Sequence, residues 1–234
     1  MKYSCLMLLA LFNTAHATNY PVHVGNTKVI IHIQKKGKGK SFVHVHRNET
    51  TALAAAKAII AVEGGSLMTL VHSGGRNIVF NLHNTRYEFD PNRIFTDTGI
   101  RKTLTQYSGT YTPAAHTEVK KLADKIKMLL PEGKIIAVHN NQSYSFKDYL
   151  PGHNLANDAQ KLHFHDETNY RNFYLVTKHQ DFSRLKERNF NSILQADMAS
   201  DDGSLSIYLA DRNYVNVEAG YNQLAAQIKM LQYA

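Results

Sequence analysis

Four consecutive apolar residues, Ile135-Ile136-Ala137-Val138, constrain this chain more than any other feature. They do not alternate with polar residues, they are bounded by Lys134 and His139, and a helix-stopping Pro131-Glu132-Gly133 precedes them. A run of that kind suits a strand buried on both faces. Such a strand needs apolar cover above and below, and the flanking segments offer helices for it. Thr112 caps a helix that starts at Pro113 and repeats Ala115, Val119, Leu122, Ile126 and Leu130 at helical spacing. Residues 50–62 are an alanine-rich helix, with Leu53, Ile59 and Ile60 free to pack. A short helix is expected over 181–188 and a final one over 220–231.

Strands alternate with these helices. Residues 28–34 and 41–46 are β-like and joined by a glycine-lysine turn, Lys35 to Lys40, of hairpin character. Residues 67–71 and 76–82 form a further strand pair turning at Ser73-Gly74-Gly75, and 83–111 reads as irregular around Asp90-Pro91. Residues 172–177, 205–210 and 214–218 complete the strands. The expected fold class is α/β, a mixed and mostly parallel β-sheet sandwiched by helices. No repeat or linker divides the chain, so residues 18–234 read as one domain.

Residues 1–17 read as a signal peptide: Lys2, an apolar run from Cys5 to Phe12, and small residues in Ala15-His16-Ala17. The run is too short to span a bilayer, and no later segment is suited to one. The one cysteine lies in this leader, so the expected mature chain has no disulfide, as suits a periplasmic or secreted protein stabilised by its core. The formal charge of +8 becomes +7 once Lys2 leaves. That surface favours anionic partners such as cell-wall polymer or acidic peptides. The dense basic run Lys35–Lys40 reads as a solvated turn and not as a nucleic-acid arm.

Chemistry is carried by four ordered segments. His46-Arg47-Asn48-Glu49 follows one strand, and a spacing of three lets His46 and Glu49 point at one spot if the corner curls like a helical turn. His139 ends the apolar strand in the same way, so adjacent parallel strands would bring it beside His46. His44, two residues before His46, belongs to the opposite face. Asp90-Pro91-Asn92-Arg93-Ile94-Phe95 and Val217-Glu218-Ala219 complete the set. Two histidines and a carboxylate can hold zinc with a position left open, an arginine can neutralise a substrate carboxylate, and a free glutamate can move protons. His163-Phe164-His165-Asp166-Glu167 is a rival metal cluster in a polar loop.

His46-Arg47-Asn48-Glu49 resembles the zinc motif of the zinc carboxypeptidase superfamily, in the His-Gly-Asn-Glu form of its succinylglutamate desuccinylase and aspartoacylase branch. Asp90-Pro91-Asn92-Arg93 is similar to the superfamily's Asp-x-Asn-Arg segment. Val138-His139-Asn140-Asn141 is similar to its third-ligand strand, and Val217-Glu218-Ala219-Gly220 to the segment with the catalytic glutamate. The resemblance implies a zinc-carboxypeptidase-like (phosphorylase/hydrolase-like) fold and one zinc ion per chain, held by His46, Glu49 and His139. It implies Glu218 as the proton shuttle, Asn92 and Arg93 as the grip on a substrate carboxylate, and Arg86 as a group that polarises the scissile carbonyl or adds a carboxylate contact. Arg47 and Pro91 depart from the deacylase pattern, and the chain is too short for the extra β-domain of that branch.

The expected activity is that of an exported zinc hydrolase that cleaves an amide next to a free carboxylate, carboxypeptidase-like, on substrates such as peptidoglycan stem peptides. Two alternatives stand beside it: an N-acyl amino acid deacylase, and a non-catalytic carboxylate-binding protein of the same fold. Nucleic acid is not an expected partner, and no membrane span is expected after the leader is removed.

Overall fold

The computed structural model describes residues 15–234. The leader read over 1–17 therefore lies outside the described residues except for Ala15–Ala17, which open the first strand. In chain order the elements are β1 (Ala15–Val24), β2 (Thr27–Lys36), β3 (Ser41–His44), α1 (Thr50–Glu63), β4 (Gly65–Val71), β5 (Ile78–Leu82) and β6 (Thr85–Phe89). There follow α2 (Asp97–Ser108), α3 (Pro113–Leu129), β7 (Ile135–Asn141), β8 (Ala159–His163), β9 (Phe173–Val176) and α4 (His179–Glu187). The chain ends with β10 (Ser192–Gln195), α5 (Leu205–Tyr208), β11 (Tyr214–Gly220) and α6 (Leu224–Tyr233).

Nine of the described strands form one sheet, in the order β1-β2-β4-β3-β7-β11-β9-β10-β8. Its centre, β4-β3-β7-β11, is parallel. Both flanks bring in antiparallel pairs: β1 with β2, β2 with β4, β9 with β11 and β8 with β10. On one flank β9 and β10 are again parallel, so the fold is α/β with a mixed sheet in which parallel and antiparallel pairs are equal in number and the expected parallel majority is not met.

The run 135–138 occupies β7, in the middle of that sheet. Ile136 and Val138 join the core under α1, α4 and α6, with Phe42, Ile60, Tyr174 and Val217. Ile135 and Ala137 join the core under α2, α3 and the β5–β6 ribbon, with Val29, Ile31, Phe80, Phe89 and Leu122. Burying each large aliphatic side chain stabilises by about 1.5–3 kcal/mol. A strand that contributes to both cores therefore dictates layers on both faces. Helix α3 behaves as its pattern requires: Thr112 Oγ1 accepts from Ala115 N–H at 3.1 Å, and Ala115, Val119, Leu122 and Ile126 are buried.

Several local expectations fail for identifiable reasons. Strands β2 and β3 are not a hairpin, because β4 inserts between them. The glycine-lysine segment instead crosses over, and its lysines serve helix ends: Lys36 Nζ donates to Ala61 O near the end of α1, and Lys40 Nζ to Leu231 O of α6 at 2.7 Å. Strand β5 pairs with β6 in a separate two-stranded ribbon, not with β4. The stretch 83–111 holds β6 and α2. Helix α2 shows little apolar periodicity because its buried face is only Gly99, Ile100, Thr103 and Leu104. Leu205, Ile207 and Leu209 alternate as in a strand, yet Ser204 Oγ accepts from Ile207 N–H at 3.4 Å and starts the short helix α5. Strands β8 and β10, four or five residues each, carry too little pattern to read. No helix among the described residues is long and apolar enough to cross a membrane.

Candidate metal centre

The parallel pairing of β3 with β7 matches Phe42 to Ile136 and Val43 to Ala137. It carries His46, just past the end of β3, to the same end of the sheet as His139. Between His46 and α1 the chain makes one tight turn, with Glu49 N–H donating to His46 O at 3.0 Å. Glu49 thus occupies the position before the helix, but its side chain caps nothing in α1. The carboxylate turns instead toward the histidines. His46 Nδ1 lies 2.9 Å from Glu49 Oε1, His139 Nδ1 lies 2.9 Å from Glu49 Oε2, and the two Nδ1 atoms are 3.2 Å apart. All three residues are buried, and among the described residues they form the one group suited to a metal ion.

This donor set fits zinc. Ligands about 2.0–2.1 Å from a tetrahedral ion stand roughly 3.3 Å from one another, close to the spacing found here. Two ring nitrogens aimed at one point also repel unless positive charge lies between them. The protein alone meets that need with a proton: burial pulls the His46 pKa down, but the Glu49 and Asp90 carboxylates outweigh it and raise it to about 9. The imidazolium of His46 in turn holds Glu49 well below the usual carboxylate range against the opposing effect of burial.

Neighbouring residues fix the orientation of each ligand. Asp90 Oδ1 accepts from His46 Nε2 at 2.7 Å, leaving Nδ1 for the centre, as outer carboxylates do for metal-bound histidines. His44 is buried; burial lowers its pKa to about 4, and its Nε2 bonds Glu49 O at 3.0 Å. Asn140 Oδ1 accepts from Ala52 N–H at 2.8 Å and supplies the cap that Glu49 does not. Gln227 of α6, fully buried, accepts from Asn140 Nδ2 at 2.9 Å and donates to His139 O at 2.8 Å.

Glu218 lies on β11 in register with His139 on β7. It is buried, and its oxygens accept from Asn141 Nδ2 and Asn216 Nδ2, each at 3.1 Å. Burial raises its pKa, the Glu49 charge adds to that, and His139 and the two amides oppose it. A buried carboxylate held this way can accept a proton, and it lines the same cavity as His46, Glu49 and His139.

A cavity of about 500 Å³ opens over this group. Its walls include His46, Glu49, His139, Glu218, Asn92 and Arg93, so the sequence-derived candidates converge, with one exception. Arg86 is exposed on β6, pairs with Glu88 Oε2 at 2.6 Å and does not line the cavity. Strand alternation and a neighbouring acid direct it to solvent. The arginine beside the ligands is Arg76, which donates to Glu49 Oε1 and lies 3.6 Å from Asp90 Oδ2. Arg47 points away from the centre: its Nη1 donates to His72 O at 2.7 Å and Gly74 O at 3.1 Å, gripping the turn that delivers Arg76.

Arg93 bonds Asn92 O at 3.1 Å and faces Asp202 Oδ2 at 3.5 Å, while Asn92 Oδ1 accepts from Leu205 N–H at 3.2 Å. The loop bearing Asp202 is seated by a close backbone approach. Gly203 has φ +78°, and a Cβ there would lie 2.4 Å from Gly99 Cα. The rival cluster at 163–167 forms no such group. His163 ends β8, its ring stacks on His165, and Asp166 accepts from the Thr168 and Asn169 backbone. Asn216 was missed, although its place two residues before Glu218 on one strand face was a signal; Arg76, Asp202 and the cavity tyrosines Tyr144 and Tyr149 carried none.

No protein-family model matches this chain, and no curated protein matches it by sequence.

Proposed function

We propose that this protein is a zinc-dependent hydrolase that cleaves an amide bond next to a free carboxylate, in the manner of a carboxypeptidase. The observation that carries this reading is the meeting of His46, Glu49 and His139 with Glu218 and Arg93 around one cavity. The motif resemblance to the zinc carboxypeptidase superfamily supports it, as does the α/β sheet, with His46 just past the end of β3 and His139 in the last half of the parallel strand β7. The leader-like N-terminus and basic charge support action outside the cytoplasm, with cell-wall stem peptides as substrates.

The geometry supports a division of labour among these residues. His46, Glu49 and His139 would hold the zinc ion, which would supply Lewis acidity beside the cavity. Arg93 binds the substrate carboxylate, for which a guanidinium offers paired donors, and Asn92 keeps the loop beside it in place. Glu218 accepts the proton of the attacking water and returns it to the departing amine. Arg76, which holds Glu49 and lines the cavity, takes the role expected of Arg86 and stabilises the oxygen that gains charge. Asp90 fixes the His46 ring.

The test pairs metal analysis with hydrolysis of an N-acyl dipeptide and its C-terminal amide. About one zinc per chain and cleavage of the acid at least tenfold faster than the amide are expected. Metal-free protein after zinc supplementation, or equal cleavage of both, overturns the reading. An N-acyl amino acid included in the panel separates the deacylase alternative.

A further inference from the structure

Beyond Arg93 the main cavity continues into a side chamber of about 130 Å³. The two share seven lining residues, Arg93, Tyr144, Tyr149 and Asp202 among them, so whatever Arg93 holds stands where the cavities meet. At roughly 30 Å³ per water, the chamber has room for one side chain and not for a further residue. Leu155, Leu175 and Ile207 give it an apolar wall, suited to a methylene chain. Its charged groups are Asp158 and Asp202, with Arg93 the one cation among its lining.

That balance changes on binding. Arg93 spends its charge on the substrate carboxylate, leaving two carboxylates in the chamber and no cation to face them. Both acids are held by backbone of the 200–204 segment: Asp158 Oδ1 accepts from Ser200 N–H at 2.8 Å and Asp202 Oδ1 from Ser204 N–H at 2.9 Å. No cation pairs with Asp158 among the described residues. Gln195, also in the lining, is more than nine-tenths buried, and only its Nε2 is bonded, to Ser206 O at 3.2 Å. Its Oε1 adds an acceptor with no partner. A chamber with carboxylates, an unpaired amide oxygen and an apolar wall complements an alkyl chain that ends in an ammonium group.

We infer that the side chamber selects a C-terminal residue whose side chain carries a protonated amine, of the lysine, ornithine or diamino acid class. The inference rests on the proposed carboxylate grip of Arg93 and deepens it by naming the residue that the grip presents.

The decisive comparison uses zinc-loaded full-length protein and two ligands that differ only in the terminal amine, Nα-acetyl-lysine and Nα-acetyl-norleucine. Titration calorimetry is expected to show lysine binding at least about tenfold more tightly, one well-formed charged contact being of that order. Asp158→Asn keeps the Oδ1 acceptor for Ser200 and should bring the ratio to within about threefold. Asp202→Asn, which likewise keeps its loop bond, should also reduce it. Equal binding of the two ligands to the wild type, or an unchanged ratio in both variants, overturns the inference. The matching N-acyl-glycyl substrates keep the two readings apart. Preferential binding without hydrolysis leaves the chamber's selectivity standing and removes the hydrolase; hydrolysis without preference does the reverse.

Discussion

Replacing Glu218 by glutamine separates a proton shuttle from a structural strand residue, because the structure sets the stability effect near zero. Both carboxylate oxygens accept amide hydrogens, from Asn141 and from Asn216. Glutamine offers one acceptor and one NH2, so one of the two contacts would become donor against donor. Asn141 cannot turn its amide, since its Nδ2 also donates to Arg171 O at 2.8 Å. Asn216 can: its Nδ2 serves only Glu218, and its Oδ1 is buried without a partner. Turning that amide lets Asn216 Oδ1 accept from the new glutamine, while Nδ2 takes the unpartnered place that Oδ1 held, so the number of unpartnered atoms does not rise. The lost charge-assisted bonds, each about 1.5–3 kcal/mol, are offset by removing a buried carboxylate whose desolvation costs several kcal/mol. The net change should stay within about 1 kcal/mol, a Tm shift of no more than about 4 °C for a chain this size. Turnover should nevertheless fall by about 10²–10⁴-fold, the usual loss when a general base is removed. The assay is steady-state hydrolysis of an N-acyl dipeptide, with zinc content and Tm measured on the same sample. Wild-type turnover in Glu218→Gln would remove Glu218 from the chemistry. A Tm loss of 10 °C or more would show the residue to be structural and the offset argument wrong.

The remaining predictions address the metal, the arginines and the pH dependence. Zinc at 100 times its Kd should stabilise the protein by about 2.7 kcal/mol, or about 5–10 °C in Tm, and chelation should reverse this; His139→Ala should abolish the shift while His163→Ala retains it. Arg86→Ala should leave hydrolysis within about twofold of wild type, whereas Arg76→Ala should lower kcat at least about tenfold; the opposite order in the same assay would return Arg86 to the site. Asp181, buried between Lys134 at 2.6 Å and Arg184 at 2.7 Å, has its pKa lowered by those partners against the opposing effect of burial. Its stabilisation is therefore present above the unfolded carboxylate value, about 3.9, and is lost as pH falls through the depressed folded value. Because both partners are about one-third exposed, Asp181→Asn should cost only about 1–2 kcal/mol at pH 7, and urea melts should show the gap to wild type closing on acidification.

What could be read without coordinates is what depends on near neighbours in the chain. The double-sided burial of 135–138 announced a central strand, the Thr112-Pro113 start and its spacing announced α3, and a histidine closing each of two strands announced the pair His46 and His139. His-x-x-Glu was legible for the same reason, since one turn of backbone joins its ends. The order of strands was not. A glycine-lysine turn between two β-like runs looks the same whether it closes a hairpin or crosses over, and only the insertion of β4 decides. Arg76 and Arg86 show the same limit at the site. Each is an arginine between His46 and Asp90, and nothing local tells which one the ribbon β5–β6 leaves in solvent. Asn140 caps a helix that begins ninety residues earlier, and nothing near it in sequence announces that. Side-chain chemistry belongs to residues, but distance between residues far apart in the chain belongs to packing. That is why the ligands were legible while the arginine, the amides and the acids that orient and surround them were decided by the tertiary structure alone.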